Sequence, residues 1–509
     1  MKSKCLSFVF IYVLSLCLGF AEQSNILGLF PHFGYSHFKV YSPILRELAK
    51  RGHNVTAVTY IKTPEPHPNY HELLLEGKSG VDVLSLEDHV PSRSLWTMFM
   101  EFYLLHAEGQ NACEAFYSSP HIEDIIRRHN EKPYDMVILE IFNTDCYLGL
   151  SYLLQVPVVG LSSCALMPWH YSRIALPDNP SYIQSEFIGF SEELNWQERL
   201  INFIQSNGNK LLYRLTEWND NAVIRKYLNV NVDVREIAKT TTSLVLVNQH
   251  YSLSGNRPLS AQVKEIGGVH IPAGEKLPTL PKNIEDFLNA SNETVLFISF
   301  GSMVRSSTLP KEKFDGIVAA INKLNLRVIW RWDSGKAPFD SNRFMFSKWT
   351  PQLSLLCDPR VKIFWGHGGM LGTTEAVYCG KPIIVTPFYG DQFLNGKAAE
   401  NRKIGTVLNY DQISEQHVLE SLREIMRPRY KENAAGLSKI FRNRETTPLS
   451  TAIWWIEHVL REKLAHDILR TKAVNMNWFI YYSLDSIALL IFSTVLPIAI
   501  VYIAKIRYF

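Results

Sequence analysis

The sequence predicts an α/β protein of two doubly wound, parallel-sheet domains facing each other across a cleft, followed by one apolar C-terminal helix. Three observations carry this. A strand–loop–helix–strand order opens at Asn25 and restarts at Thr294, a Pro- and Gly-rich stretch (254–293) separates the two, and 487–504 carries no formal charge.

The elements follow from pattern. Short apolar runs bounded by turn residues read as buried strands, and apolar positions three and four apart read as helices. Asn25–Phe30 is such a run, ending in Pro31-His32-Phe33-Gly34. Helical spacing over Phe38–Arg51 stops at Gly52, and His53–Tyr60 is the next strand. Asp135–Leu139, a helix over Cys146–Leu154, Val156–Leu161 and Leu244–Asn248 complete a first domain over 22–253. In the second, 294–470, strand Thr294–Phe300 leads into Gly301-Ser302, a helix covers Lys313–Leu324, and strands follow at Arg327–Arg331, Val361–Trp365 and Pro382–Val385. Ser92–Phe116 and Trp169–Trp218 are helical in spacing and aromatic; they either pack the first core or line an apolar pocket.

With 509 residues, two domains are the natural division, and 46% hydrophobic with 20% charged residues is a globular composition. A net charge of +3 with no Lys/Arg run excludes a nucleic-acid partner, whose phosphates call for a basic face. Lys2, Lys4, the apolar Cys5–Phe20 and the small residues of Gly19-Phe20-Ala21 predict a secretory signal over 1–21. At the other end, 478–504 is long enough to span a bilayer, with Trp478, Tyr481 and Tyr482 at one interface and Lys505 and Arg507 in a cytoplasmic tail, 505–509. The result is a single-pass type I membrane protein. Five cysteines remain after the signal (113, 146, 164, 357, 379), scattered in neither a disulfide nor a zinc pattern. Asn289-Ala290-Ser291 and Asn292-Glu293-Thr294 are glycosylation sequons near a loop; a third, at Asn54, falls at the start of an expected strand.

The densest chemical signal is 349–392. A diphosphate is held by backbone N–H groups at a helix N-terminus, where glycines permit close approach. Strand Val361–Trp365, then Gly366-His367-Gly368-Gly369 and a helix, meets that need. His367 can donate to a phosphate oxygen, and Glu375, two turns into the helix, can accept from ribose hydroxyls. Asp391-Gln392, after the next strand, suits sugar hydroxyls, while Trp349 can stack on a base and Gln352 can reach ribose or base edges.

This segment resembles the signature of the UDP-glycosyltransferase family, and most of the chain is similar to its membrane-bound animal branch, invertebrate-like around the glycines. The resemblance implies the GT-B fold, two facing Rossmann-like domains with the acceptor in the N-terminal half and UDP-sugar in the C-terminal half. Ser302, Trp349, Gln352, His367, Gly369, Glu375, Asp391 and Gln392 match its donor-site positions. It implies inverting transfer with no cofactor and no metal. Gly366 and Met370-Leu371 depart from the Thr and Thr-Asn of many vertebrate relatives, which shifts the phosphate grip toward the backbone.

The base is expected at His37, in the loop after the first strand, with a carboxylate to orient it and stabilise its charged form. Strand position points to Glu140 and residue type to Asp145, whose bland role is a helix N-cap. His32, nearer the strand end, reads as structural. His67 and His71 lie four apart, but Pro66 and Pro68 break any helix that would make them metal ligands.

The expectation is therefore an enzyme of the endoplasmic reticulum membrane with lumenal catalytic domains. It would move a hexose, glucose before glucuronate, from UDP to a small lipophilic acceptor, making it more water-soluble. Glucuronate would call for a cation near its carboxylate, which the sequence does not visibly place. A non-catalytic nucleotide-sugar or lipophile binder is the reading from another class. A homo-oligomer is compatible with the sequence, which leaves oligomeric state and acceptor open.

Overall fold

The computed structural model describes residues 23–77, 83–87, 89, 93–272, 274, 277–334 and 336–508; the expected signal, 1–21, lies outside the described residues. The apolar runs become the strands of two parallel sheets. The first contains β1 (Asn25–Phe30), β2 (Asn54–Thr59), β3 (Tyr70–Leu74), β5 (Met136–Glu140), β6 (Val158–Ser162), β7 (Thr242–Val247) and β8 (Val263–Glu265), in the order β3-β2-β1-β5-β6-β7-β8. All residues of β5, β6 and β7 are buried, as in a parallel sheet covered by helices on both faces. The order reverses between β1 and β5, paired in register Gly28↔Ile138 and Leu29↔Leu139, so a crevice opens at their carboxyl ends.

The second sheet holds β9 (Val295–Ser299), β11 (Arg327–Arg331), β12 (Phe344–Ser347), β13 (Val361–Gly366), β14 (Ile383–Val385) and β15 (Gly405–Val407), in the order β12-β11-β9-β13-β14-β15. Its reversal lies between β9 and β13, the strands that lead into Gly301 and His367. The remaining pair crosses between domains: β4 (Leu84–Ser85) runs parallel to β10 (Val304–Arg305), and Leu86 enters the second core beside Leu296 and Trp330. Tyr410 donates its hydroxyl to the Leu86 carbonyl.

Several expectations need correction. The connection 254–293 is not a plain linker: β8 adds an edge strand beside β7, and helix Lys282–Asn289 buries Ile284 and Leu288 in the second core. A three-residue strand is too short to show through the surrounding Pro and Gly. The boundary at 470 is also displaced, because helix Pro448–Arg461 returns to the first domain and buries Ala452, Ile453, Ile456 and Val459 against Ile26, Ile44 and Ile138. The expected span 478–504 is broken: Trp478–Tyr481 is a separate short helix, ended by Ser483 at φ 55°. The helix Leu484–Tyr508 that follows contains an 18-residue window of mean hydropathy 2.6 that is not buried against the described residues, and it is long and apolar enough to cross a membrane.

The cysteines are not unpaired bystanders. Cys113 is disulfide-bonded to Cys146 and Cys357 to Cys379, leaving Cys164 buried and free. The fold brings together partners 33 and 22 residues apart, separations that match no spacing signature. Of the sequons, Asn292 is exposed, Asn289 accepts from Arg360 at 2.6 Å, and Asn54 donates its amide to Asn25 within the sheet.

Alkylation of the denatured, unreduced protein should label one cysteine, Cys164, of the five beyond residue 22. Replacing Cys113 and Cys146 together by Ser should lower stability by about 2–4 kcal/mol, read as an earlier unfolding midpoint.

Candidate active site

The first wall forms where β1 and β5 end. His37 is not in a loop but in the first turn of helix Tyr35–Lys50. Gly34, ahead of the helix, lets two imidazoles close over it, since a Cβ there would lie 2.7 Å from His32 Cε1 and 3.0 Å from His37 Cδ2. His32 accepts the Gly34 N–H on Nδ1 at 2.9 Å, and its ring stacks on His37 with centroids 3.7 Å apart. Burial, then the neighbouring His37 charge, lowers the His32 pKa to about 3, so it is a neutral platform.

Glu140, the last residue of β5, places Oε1 2.6 Å from His37 Nδ1, and Ser163 Oγ lies 2.9 Å from the same nitrogen. The Nδ1–H donates to the carboxylate, which leaves Nε2 as the basic face. Burial opposes the charged form of His37, but Glu140 outweighs it and raises the pKa. Burial likewise opposes a charged Glu140, and the His37 charge and hydrogen bond outweigh it and lower that pKa.

Asp145, the other candidate, is occupied elsewhere. It lies in the turn before helix Leu148–Leu154, is not its N-cap, and pairs with buried Arg173, whose Nε is 3.0 Å from Oδ2. Its backbone N–H donates to Asp220. The structure brings Glu140, and not Asp145, to His37.

The facing wall is built at the ends of β9, β11 and β13. Helix Met370–Tyr378 starts at Gly369 with no side-chain cap, so its first N–H groups are available to an anion. Gly368 has φ 87°, and a Cβ there would lie 2.8 Å from the Gln392 carbonyl. His367 lies beneath: a Cβ on Gly301 (φ 77°) would lie 2.6 Å from its Cε1, so this glycine is what lets the imidazole pack. Burial, then the Arg331 charge, lowers the His367 pKa to about 4.

Arg331, at the end of β11 and bonded to the Gly301 carbonyl, brings a cation beside His367 that sequence reasoning missed. Its signal was available: a charged residue closing an otherwise apolar strand at the sheet's carboxyl edge. Glu375 accepts from Gln352 Nε2 at 2.7 Å, and His270 Nε2 is 3.5 Å from its other oxygen. Trp349 is 65% exposed, as a stacking surface must be, and Ser302 is exposed beside Gly301. Asp391 accepts from Asn395 at 2.9 Å, and burial raises its pKa to about 6. Gln392 folds back, its oxygen accepting the Phe388 N–H at 2.8 Å.

The walls meet. Glu101, on helix Leu95–Tyr117, accepts the Gly390 N–H at 3.3 Å and pairs with Arg93, which lies over the Phe393 ring at 3.9 Å. Asp391 and Glu108 both act electrostatically on His37. A cavity of about 310 Å³ between the domains is lined by Arg93, Met98, Phe187, Phe190, Pro387 and Phe393.

His32, His37 and Glu140 also hold ligand atoms within 4.8 Å of one another, a set that could hold a metal ion. The geometry suits proton transfer better. Stacked rings 18° apart direct their in-plane lone pairs side by side rather than toward one point, and His37 Nδ1 already donates to Glu140. His67 lies in a loop and His71 in β3.

Asp145→Ala should destabilise the first domain by about 3–5 kcal/mol in denaturant unfolding, because it strands the buried Arg173 guanidinium.

Comparison with known proteins agrees with this architecture. The family model described as UDP-glucoronosyl and UDP-glucosyl transferase matches residues 29–509. A UDP-glycosyltransferase (UGT5) of Dactylopius coccus is 35% identical over 513 residues, covering 97% of this chain and 94% of that one. The human UDP-glucuronosyltransferase 1A10 is 28% identical over 502 residues, covering 96% and 92%. Among solved structures, the calicheamicin glycosyltransferase CalG4 superposes with a TM-score of 0.57 at 17% identity, over 87% of this chain and 99% of that one, a likeness of fold. The fold is of the GT-B type, and the chain, a glycosyltransferase that uses a UDP-sugar donor, belongs to the UDP-glucoronosyl and UDP-glucosyl transferase family.

Proposed function

We propose that the protein transfers glucose from UDP-glucose to a hydroxyl of a small lipophilic acceptor, with inversion and without a metal, on the lumenal side of the endoplasmic reticulum membrane. The carrying observation is the 2.6 Å bond from His37 Nδ1 to Glu140, with Asp391 within electrostatic reach across the cleft. His37 Nε2 takes the acceptor proton as the acceptor oxygen attacks the anomeric carbon. The bond from that carbon to the diphosphate oxygen breaks on the opposite face, and UDP leaves with the electron pair. Glu140 stabilises the imidazolium as it forms. The uncapped helix N-terminus at Gly369, with His367 and Arg331, meets the charge developing on the diphosphate, which is the service a metal would otherwise supply. Glu375 and Gln352 suit the ribose, Trp349 the base, and Asp391 and Gln392 the sugar hydroxyls.

Charge favours an uncharged sugar. Arg93 and Arg257, the cations near the sugar loop, are paired with Glu101 and with buried Glu186, and Glu186 itself feels the Asp391 charge. Among the described residues, a glucuronate carboxylate would meet Asp391, Glu101 and Glu108 with the nearby cations Arg93 and Arg257 already paired. The signal at 1–21 and helix Leu484–Tyr508 support the membrane topology; protease protection in sealed microsomes, with only the tail digested, tests it.

His37→Ala should lower kcat by about 10²–10⁴-fold with UDP affinity retained, measured by UDP release with a phenolic acceptor. Unchanged turnover would refute the base assignment, and UDP binding without turnover over a broad acceptor panel would favour the non-catalytic reading. Because Glu140 raises the His37 pKa, kcat/KM should climb with pH to a plateau reached above the ordinary histidine value. Glu140→Gln removes that charge, so the acid limb should move to lower pH while the plateau falls. UDP-glucuronate should be used at least about tenfold more slowly than UDP-glucose, in line with roughly 1.4 kcal/mol of uncompensated repulsion.

A further inference from the structure

Helix Trp196–Leu228 carries apolar residues on both faces. Its buried face mixes Tyr213 and Ile224, which join the first domain's core, with Asn202, Gln205, Ser206, Asn209, Glu217 and Asp220. Its outer face is apolar: Trp196, Leu200, Phe203, Leu211, Leu215 and Trp218 are exposed, Trp218 by 68%. These residues recur at helical spacing along about 33 Å of one face. Helix Leu95–Tyr117, packed alongside with Phe99 against Gly208, adds exposed Trp96, Met100, Tyr103 and Leu104. A helix on the water-facing surface of a soluble domain keeps its outer face polar, and an exposed apolar stripe of this length marks a contact surface.

The chain itself indicates what covers it. Asn202 donates to the Pro180 carbonyl at 2.6 Å, and Lys210 pairs with Asp178, fastening the 178–180 loop to helix Trp196–Leu228. Asp178 is in turn within electrostatic reach of Tyr482, two residues before the apolar helix Leu484–Tyr508 begins. The stripe and the anchor therefore leave the molecule on the same side. Arg199 and Arg214 are exposed between the apolar positions, where their stems can lie along hydrocarbon and their heads reach lipid phosphates.

We propose that the outer face of helices Trp196–Leu228 and Leu95–Tyr117 docks on the lipid bilayer that takes the C-terminal helix. The occupant is the membrane surface, with Trp96, Trp196 and Trp218 at headgroup depth. Docking sets the first domain on the bilayer rather than leaving it to swing on a tether. Helix Leu95–Tyr117 then runs from lipid, at Trp96 and Met100, past Met98 in the interdomain cavity to Glu108 near His37. An acceptor dissolved in the bilayer would enter along that helix.

The inference rests on reading Leu484–Tyr508 as a membrane span, so the test carries its own control. The full chain, labelled with a fluorophore at Leu211→Cys, Ile498→Cys or Glu432→Cys, is reconstituted in vesicles of zwitterionic and anionic phospholipid with brominated acyl chains. Emission from positions 211 and 498 should fall about twofold or more, and emission from exposed position 432 in the second domain should not change. Quenching at 498 without quenching at 211 overturns the docking alone. Loss of quenching at 498 overturns the span and the docking with it. Copy-to-copy crosslinking through 211 with no quenching there assigns the face to a second copy of the chain, which also overturns it.

Discussion

Each sheet contributes half of a site at its switch point, and neither half is of use unless the two stay opposed. What holds them opposed is an exchange of chain between the domains. Leu84–Leu86 leaves the first domain to pair with β10 and enter the second core, while helix Pro448–Arg461 leaves the second and seals the first beside β1. Each buried aliphatic side chain on that returning helix is worth about 1.5–3 kcal/mol. Two clasps at different places permit opening and closing of the cleft but resist sliding. The Glu101–Gly390 contact can therefore act as a register mark between helix Leu95–Tyr117 and the loop that follows β14.

Within that frame the chemistry is assembled from short distances and small residues. Parallel pairing of β1 with β5 sets the carboxylate of Glu140 beside the helix that starts at Tyr35. Gly34 lets two imidazoles stack, and only one of them can hold a proton near neutrality, because the other is buried with a much lower pKa. On the far wall the same device recurs: Gly301 makes room for a neutral His367 next to a guanidinium. The cleft thus sets a histidine with a raised pKa on one wall and a guanidinium beside a neutral histidine on the other.

What could be read from the sequence was local. Strand ends, the glycines before helix Met370–Tyr378, Glu375 and Asp391 announce themselves through spacing within a few dozen residues. The choice between Glu140 and Asp145 depended on strand register and on Arg173, 28 residues farther along, which no local pattern encodes. The same holds for Cys113 with Cys146, for β8 inside an apparent linker, and for the return of 448–461. Ser483 breaks an apolar run by a backbone angle that its residue type does not announce. The aromatic stretch Trp169–Trp218 was expected to be helical throughout, but apart from a single turn at Tyr171–Arg173 it becomes helical only at Trp196, and its spacing did not tell which face points outward, because apolar residues lie on both.

The bond between Cys357 and Cys379 has a consequence for where the protein can be made. It ties the end of helix Gln352–Cys357 to the residue that ends helix Met370–Tyr378. Those two helices carry Gln352 and Glu375, which meet at 2.7 Å on the second domain's wall of the cleft. Oxidation of one cysteine pair and the meeting of Gln352 with Glu375 are thereby linked through one covalent strap. In a reducing compartment that strap is lost, and only non-covalent packing and the Gln352–Glu375 hydrogen bond hold the two helices in register.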